Sequence, residues 1–239
     1  INAISWTKGC YVGQEITARM KYRALLKKRI YPLALIKGSP KTKQSICENE
    51  IELGKIISIR AVYGHGGRIG YENEWRMNPK LSGGGQLLDQ GSHLLDLSYM
   101  LLGKLKLEKA ILKSYFWTKK VEDNVYLILS DKKEATVFLH TSCTEWKNKF
   151  LFEIFFENAK LEVNGLGRSY GKEKLIFYMM KKQMGPPNIK EYIFPQKDLS
   201  WKKELEDFNR DIINNLKPIP GIDEAITNLK TIKEIYKKC

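Results

Sequence analysis

Residues 107–163 are the part of this chain with the fewest structural options. Residues 107–117, 124–129, 135–141, 150–156 and 160–163 are short runs rich in β-branched and aromatic side chains, separated by polar stretches. Glu157-Asn158-Ala159 reads as a hairpin turn between the last two. Residues 55–62 read as a further strand, and 174–179 and 191–194 as two more, split by Gly185-Pro186-Pro187. Helices flank this run. Trp201, Leu205, Phe208, Ile212, Ile213 and Leu216 recur at three to four residues, Pro218 and Pro220 end that pattern, and a last helix carries Ile222, Ala225, Ile226, Leu229, Ile232 and Ile235. Strands in series with flanking helices predict an α+β fold, a sheet with helices on one face. In 239 residues that are 43% apolar, this suffices for one large domain or two small ones. No apolar run reaches the roughly 20 residues needed to cross a bilayer.

One helix stands apart. Gly83-Gly84-Gly85 opens into a segment that stops at Gly103, with Leu87, Leu88, Leu94, Leu95, Leu101 and Leu102 as its apolar side. The glycines let the backbone come close to something. Asp89, His93 and Asp96 fall at i, i+4 and i+7 and so share one helical face. A carboxylate and an imidazole one turn apart can share a proton with each other or with a substrate hydroxyl. They can equally be a buried pair that only ties the helix down.

The net charge of +14 raises a nucleic-acid partner as a possibility. Only 8 of the 41 basic residues are arginine, whereas specific base readers lean on arginine; lysine, isoleucine and asparagine enrichment also follows from an AT-rich genome. The excess is concentrated at the front, with 12 Lys or Arg against 4 Glu over residues 1–60. That is the segment a polyanion would meet. It reads as a loop and short helix around Cys10, a basic strand over 25–36, and short strands over 45–47 and 50–58. The four cysteines are widely spaced and form no metal motif, which fits reduced thiols in a cytoplasmic protein. His65, His93 and His140 match no ligand spacing, so no metal is expected.

Two glycine-rich loops need weighing. Gly165-Leu166-Gly167-Arg168-Ser169-Tyr170-Gly171 leads into a strand, not a helix, so it is not a dinucleotide turn. It is a loop near a substrate or simply a turn. Gly64-His65-Gly66-Gly67-Arg68 is either an anion-holding loop, with backbone N–H groups and an Arg fork, or a flexible surface loop. Cys10 is either a reactive thiol near Lys8 or a buried structural cysteine.

From about Leu53 to the C-terminus the chain resembles the C-terminal domain of the Gfo/Idh/MocA oxidoreductases. The resemblance rests on Tyr63-Gly64-His65-Gly66-Gly67-Arg68, Glu74-Trp75-Arg76, Gly83-Gly84-Gly85 with Asp89-Gln90-Gly91-Ser92-His93 and Asp96, Glu122-Asp123-Asn124, and Trp146-Lys147-Asn148. Gly185-Pro186-Pro187 and Ser200-Trp201 also fit. It implies an open, mainly antiparallel sheet that binds substrate and pairs subunits through its face. It implies hydride transfer between NAD or NADP and a sugar, polyol or sugar-nucleotide hydroxyl. Asp89 and His93 map onto the substrate-contacting pair, with His93 as acid/base; Arg68, Trp75, Arg76 and Asp96 are then candidates for holding the substrate. The family's catalytic lysine and nucleotide loop lie in an N-terminal Rossmann domain, so this chain alone is not expected to bind the cofactor.

Residues 1–52 are similar to a different family. Lys8-Gly9-Cys10-Tyr11-Val12-Gly13-Gln14-Glu15, followed by Thr17-Ala18-Arg19, resembles the signature of the YgfZ folate-binding family, related to glycine-cleavage aminomethyltransferases. That resemblance implies a β-rich piece carrying Lys8, Gly9, Cys10, Tyr11, Gly13, Gln14 and Glu15, and a role in iron–sulfur cluster upkeep and tRNA modification, with folate and tRNA as partners. Two domains, 1–52 and 53–239, are therefore expected, meeting near Leu53-Gly54-Lys55-Ile56-Ile57-Ser58. The chain opens on Ile1, and each piece is expected without its cofactor-binding half, as in a chimeric or truncated reading frame.

Overall fold

A computed structural model describes residues 47–48, 51–194, 200–217 and 221–239. The expectations for the Cys10 region and the basic strand over 25–36 lie outside the described residues. Strands β1 (Cys47–Glu48) and β2 (Ile51–Glu52) pair antiparallel as a small separate ladder. The body of the fold is an eight-stranded sheet built from β3 (Ile56–Gly64), β4 (Lys106–Lys113), β5 (Asn124–Ser130), β6 (Thr136–Ser142), β7 (Lys149–Phe156), β8 (Ala159–Asn164), β9 (Lys174–Met179) and β10 (Asn188–Ile193). The spatial order is β10-β9-β8-β7-β3-β6-β5-β4. Every pair is antiparallel except β3 with β6. The expected open, mainly antiparallel α+β sheet is the observed one.

Alternation assigns the two faces of the sheet. Ile59, Ala61 and Tyr63 of β3, Leu127 and Leu129 of β5, Leu139 of β6 and Phe150, Phe152 and Ile154 of β7 are all buried in one core. Helix α2 (Ser92–Leu102) lies on that face with Leu94, Leu95 and Leu97 buried, and the C-terminal helix α4 (Ile222–Lys238) packs on α2 through Ile232 and Ile235. Asn228 donates its side-chain N–H to the Ser92 carbonyl at 2.6 Å, which ties α4 to the first turn of α2. A short helix α1 (Pro79–Ser82) precedes α2, and α3 (Ser200–Ile213) precedes α4. On the opposite face, Arg60 reaches Glu153 at 2.6 Å and Lys160 reaches the same carboxylate at 2.8 Å.

Two boundaries differ from the periodicity reading. The strand expected over 107–117 stops at Lys113, because the N–H groups of Tyr115, Phe116 and Trp117 turn to the Asp123 carboxylate and leave the ladder. The last strand begins at Asn188, earlier than the apolar pattern suggested, because its backbone pairs along the whole of β9.

Candidate functional site

β3 is the hinge of the site. It is central, and its Gly64 end delivers the chain to one edge of the core between β6 and β7. There the His65 N–H donates to the Ser142 carbonyl, and the Gly67 N–H donates to His65 Nδ1 at 3.1 Å. An acceptor at Nδ1 leaves the proton of the neutral ring on Nε2, which faces the Tyr71 hydroxyl at 3.4 Å. These two backbone N–H groups have protein acceptors, so neither is open to an anion, and the loop forms a wall against the end of β6. The Arg68 guanidinium is paired with Glu74 at 2.7 Å, an ion pair by distance.

A cavity of about 370 Å³ opens against this wall. Arg68, Glu74 and Arg76 come from the loop after β3, Asp89 and Gln90 from the start of the helix, and Asn148, Ser169 and Tyr170 from two later loops. Arg76 lies between two carboxylates, 3.6 Å from Glu74 and 3.9 Å from Asp89. Trp75 presents its ring to the Arg76 guanidinium at 4.7 Å and so backs the arginine. Burial pushes the Tyr71 hydroxyl well above its ordinary pKa, with the nearby Cys143, Asp89 and Glu74 adding to burial and Arg76 opposing it.

The helix that carries Asp89 is not continuous. Leu87–Gly91 form a single π-helical turn, and regular α-helix begins only at Ser92. The face-sharing expectation assumed α-helical spacing throughout; the wider turn shifts the register between Asp89 and the pair His93 and Asp96. Asp89 lines the cavity. His93 is half-buried with its ring 5.9 Å from that of Tyr63, and Tyr63 in turn lies 5.3 Å from the cavity-lining Tyr170. Asp96 is half-buried on α2 and is not part of the cavity wall. The structure thus brings together Arg68, Arg76 and Asp89 among the predicted residues.

The three glycines before the helix face protein. The Gly85 and Leu87 N–H groups both donate to Glu122 Oε1 at 3.1 Å, and the Tyr236 hydroxyl donates to that oxygen at 2.6 Å. A side chain on Gly84 or Gly85 would overlap Tyr236 or Glu122. Burial pushes the Glu122 carboxyl up, against the lowering effect of these three donors.

Ser169, Tyr170, Asn148, Gln90, Glu74 and His65 line the cavity without having been singled out as substrate contacts. Of the Gly165–Gly171 loop, Ser169 and Tyr170 line the cavity. A dinucleotide needs a glycine-rich turn from a strand into a helix within a βαβ unit. Among the described residues that loop runs through a short 3-10 turn into β9, so it does not fit. No three His, Cys, Asp or Glu side chains among the described residues converge as a metal site. No described helix is long and apolar enough to cross a membrane.

Residues 47–162 match the family described as the GFO/IDH/MocA C-terminal domain. In sequence, this part of the chain is similar to that domain. Solved structures share its fold. Levoglucosan dehydrogenase in complex with NADH is 19% identical with a TM-score of 0.65, over 93% of this chain and 62% of that one. KijD10, a 3-ketoreductase from Actinomadura kijaniata in complex with NADP and TDP-benzene, is 15% identical with a TM-score of 0.63, over 77% and 54%. This chain therefore spans a little over half the length of these oxidoreductases. Short stretches of the N-terminal region match a second group. The tRNA-modifying protein YgfZ of Yersinia pestis is 59% identical over 34 residues, 14% of this chain and 10% of that protein. The human mitochondrial iron–sulfur cluster assembly factor IBA57 is 42% identical over 40 residues, 17% and 11%.

Proposed function

We propose that residues 53–239 are the substrate-holding part of an NAD(P)-dependent oxidoreductase acting on a sugar or polyol hydroxyl. The observation that carries this reading is the cavity itself. It sets the Asp89 carboxylate 3.9 Å from Arg76, amid the amides of Gln90 and Asn148 and the hydroxyls of Ser169 and Tyr170. Such a wall offers acceptors and donors in several directions, which is what a polyhydroxylated ligand needs to exchange its water. Asp89 accepts a hydrogen bond from the reacting hydroxyl and orients it; His93, which the family resemblance makes the acid/base, does not line the cavity and reaches its wall through the Tyr63 and Tyr170 rings. Arg76 holds Asp89 in place.

The same reading makes the open sheet face, with Arg60, Glu153 and Lys160, a subunit-pairing surface, and places the protein in the cytoplasm. Calorimetric titration with monosaccharides and polyols tests it. Asp89→Asn is expected to weaken binding at least tenfold; unchanged affinity overturns the assignment of Asp89.

A second reading rests on the short YgfZ and IBA57 matches. Residues 1–52 then form a separate YgfZ-like piece acting through Cys10, with folate or tRNA as partner. Salt-sensitive tRNA binding that disappears on removal of residues 1–50 supports it; salt-independent or absent binding removes it.

A further inference from the structure

A row of aromatic rings leads from the cavity wall into solvent. The ring of Tyr71, a cavity residue, lies 5.3 Å from Trp117, which lies 4.9 Å from Phe116 and 6.1 Å from Trp146. Tyr71 is buried and Trp117 half-buried, but Phe116 is 61% and Trp146 65% exposed. The cavity residue Gly67 packs directly on Trp117; a Cβ there would come within 2.8 Å of the indole Cε2. The row is thus continuous with the site.

These rings are held in place by features with a folding cost of their own. Asp123 is fully buried, and its carboxylate accepts from the N–H groups of Tyr115, Phe116 and Trp117 at 2.9, 2.7 and 3.1 Å. A buried carboxylate is tolerated only with such a set of donors. The Trp117 indole N–H donates to the Cys143 carbonyl at 2.7 Å. Trp146 has φ of 54°, a left-handed backbone that a bulky residue adopts at a cost. Bare Gly66 lies against that backbone, where a Cβ would come within 2.8 Å of the Trp146 Cα. Phe116 meets Trp146 at an interplanar angle of 84° and Trp117 at 89°. Near-perpendicular rings form steps one ring wide, not a flat apolar sheet of the kind that receives a helix or a bilayer.

We propose that Phe116, Trp117 and Trp146 are a second-ring subsite, and that the ligand is a glycoside of at least two pyranose rings. This rests on the sugar reading of the cavity. A cavity of about 370 Å³ is at the small end for ligand pockets, roughly 300–1,000 Å³, so a two-ring ligand extends past its mouth and meets the platform. The C–H face of a pyranose is apolar and suits the electron-rich face of an indole or phenyl ring. Asn148, two residues from Trp146 and itself a cavity residue, is available to the hydroxyls between the two rings.

The test is calorimetry of the full chain with paired ligands: methyl glucosides and methyl galactosides against cellobiose, maltose and lactose. The disaccharide is expected to bind roughly tenfold tighter than its methyl glycoside. Trp146→Ala should remove that advantage and leave methyl glycoside affinity within about twofold. Trp146→Gly, which relieves the left-handed backbone, should do the same and separates loss of the ring from loss of the fold. Asp89→Asn should weaken both ligand classes. Equal affinity for the two classes, or an advantage that survives both Trp146 variants, overturns the subsite while an Asp89-dependent cavity stands. Absence of binding by every sugar, or binding that Asp89→Asn leaves unchanged, overturns the cavity reading and the subsite with it.

Discussion

Gly85 is built against Glu122. Its N–H donates to the buried carboxylate at 3.1 Å, and a Cβ added to it would lie 2.7 Å from Glu122 Oε2 and closer still to the Glu122 carbonyl oxygen. The contact fixes the start of the π-helical turn that aims Asp89. A backbone carbonyl cannot step aside as a flexible side chain can. Gly85→Ala is therefore expected to destabilise the fold by about 2–3 kcal/mol, read as a drop in denaturant midpoint. An unchanged midpoint would show that the turn relaxes freely.

Glu122 also predicts a pH dependence. Its carboxyl titrates above the ordinary value because it is buried, despite the Tyr236, Leu87 and Gly85 donors. The folded protein therefore binds this proton more tightly than the unfolded chain. Stability from this group is present below the ordinary carboxylate pKa and is lost as pH rises through the raised one. Glu122→Gln cannot titrate there. The stability of the wild type relative to Glu122→Gln should fall as pH goes from about 4 to about 7, and parallel curves from thermal melts would contradict the assignment.

Glu153 behaves oppositely. Burial pushes its carboxyl up, but the Arg60 and Lys160 hydrogen bonds outweigh burial and hold it below the ordinary range. Its contribution is present above the ordinary carboxylate pKa and lost as pH falls through the lowered one. Glu153→Gln should cost about 2 kcal/mol near neutrality and much less in acid. A double-mutant cycle with Arg60→Ala measures the pair directly, and zero coupling would sink the claim.

At Gly67, φ is 65° and a Cβ would meet the Trp117 indole. Gly67→Ala should cost about 1–3 kcal/mol and displace Trp117, visible as a change in near-ultraviolet circular dichroism. A spectrum identical to the wild type's would mean that the loop holds its shape without this contact.

Much of the fold was legible because its signal is local. Runs such as 124–129 and 150–156 announce strands through alternation and branched side chains, and β5 and β7 follow with a residue's difference at the ends. The site was legible only in part. Asp89, Arg76 and Arg68 could be picked out as charged residues beside glycines and an apolar helix, and all three line the cavity. Trp75 could be picked out too, but it serves by backing Arg76. Ser169, Tyr170 and Asn148 lie in stretches the sequence could mark only as loops or motif neighbours; they reach the cavity because the β6–β7 and β8–β9 loops lie at the Gly64 end of the sheet.

By itself the sequence determined the kinds of element, the glycine run before the helix and the polar residues on it, since each depends on neighbours a few positions away. The tertiary structure decided what those glycines approach: Glu122 and Tyr236, 37 and 151 positions from Gly85. It also decided that the helix opens with a π-helical turn, so that Asp89 and His93 are not related by simple α-helical spacing. Both outcomes depend on contacts between segments distant in the chain, where packing and buried hydrogen bonds override local periodicity.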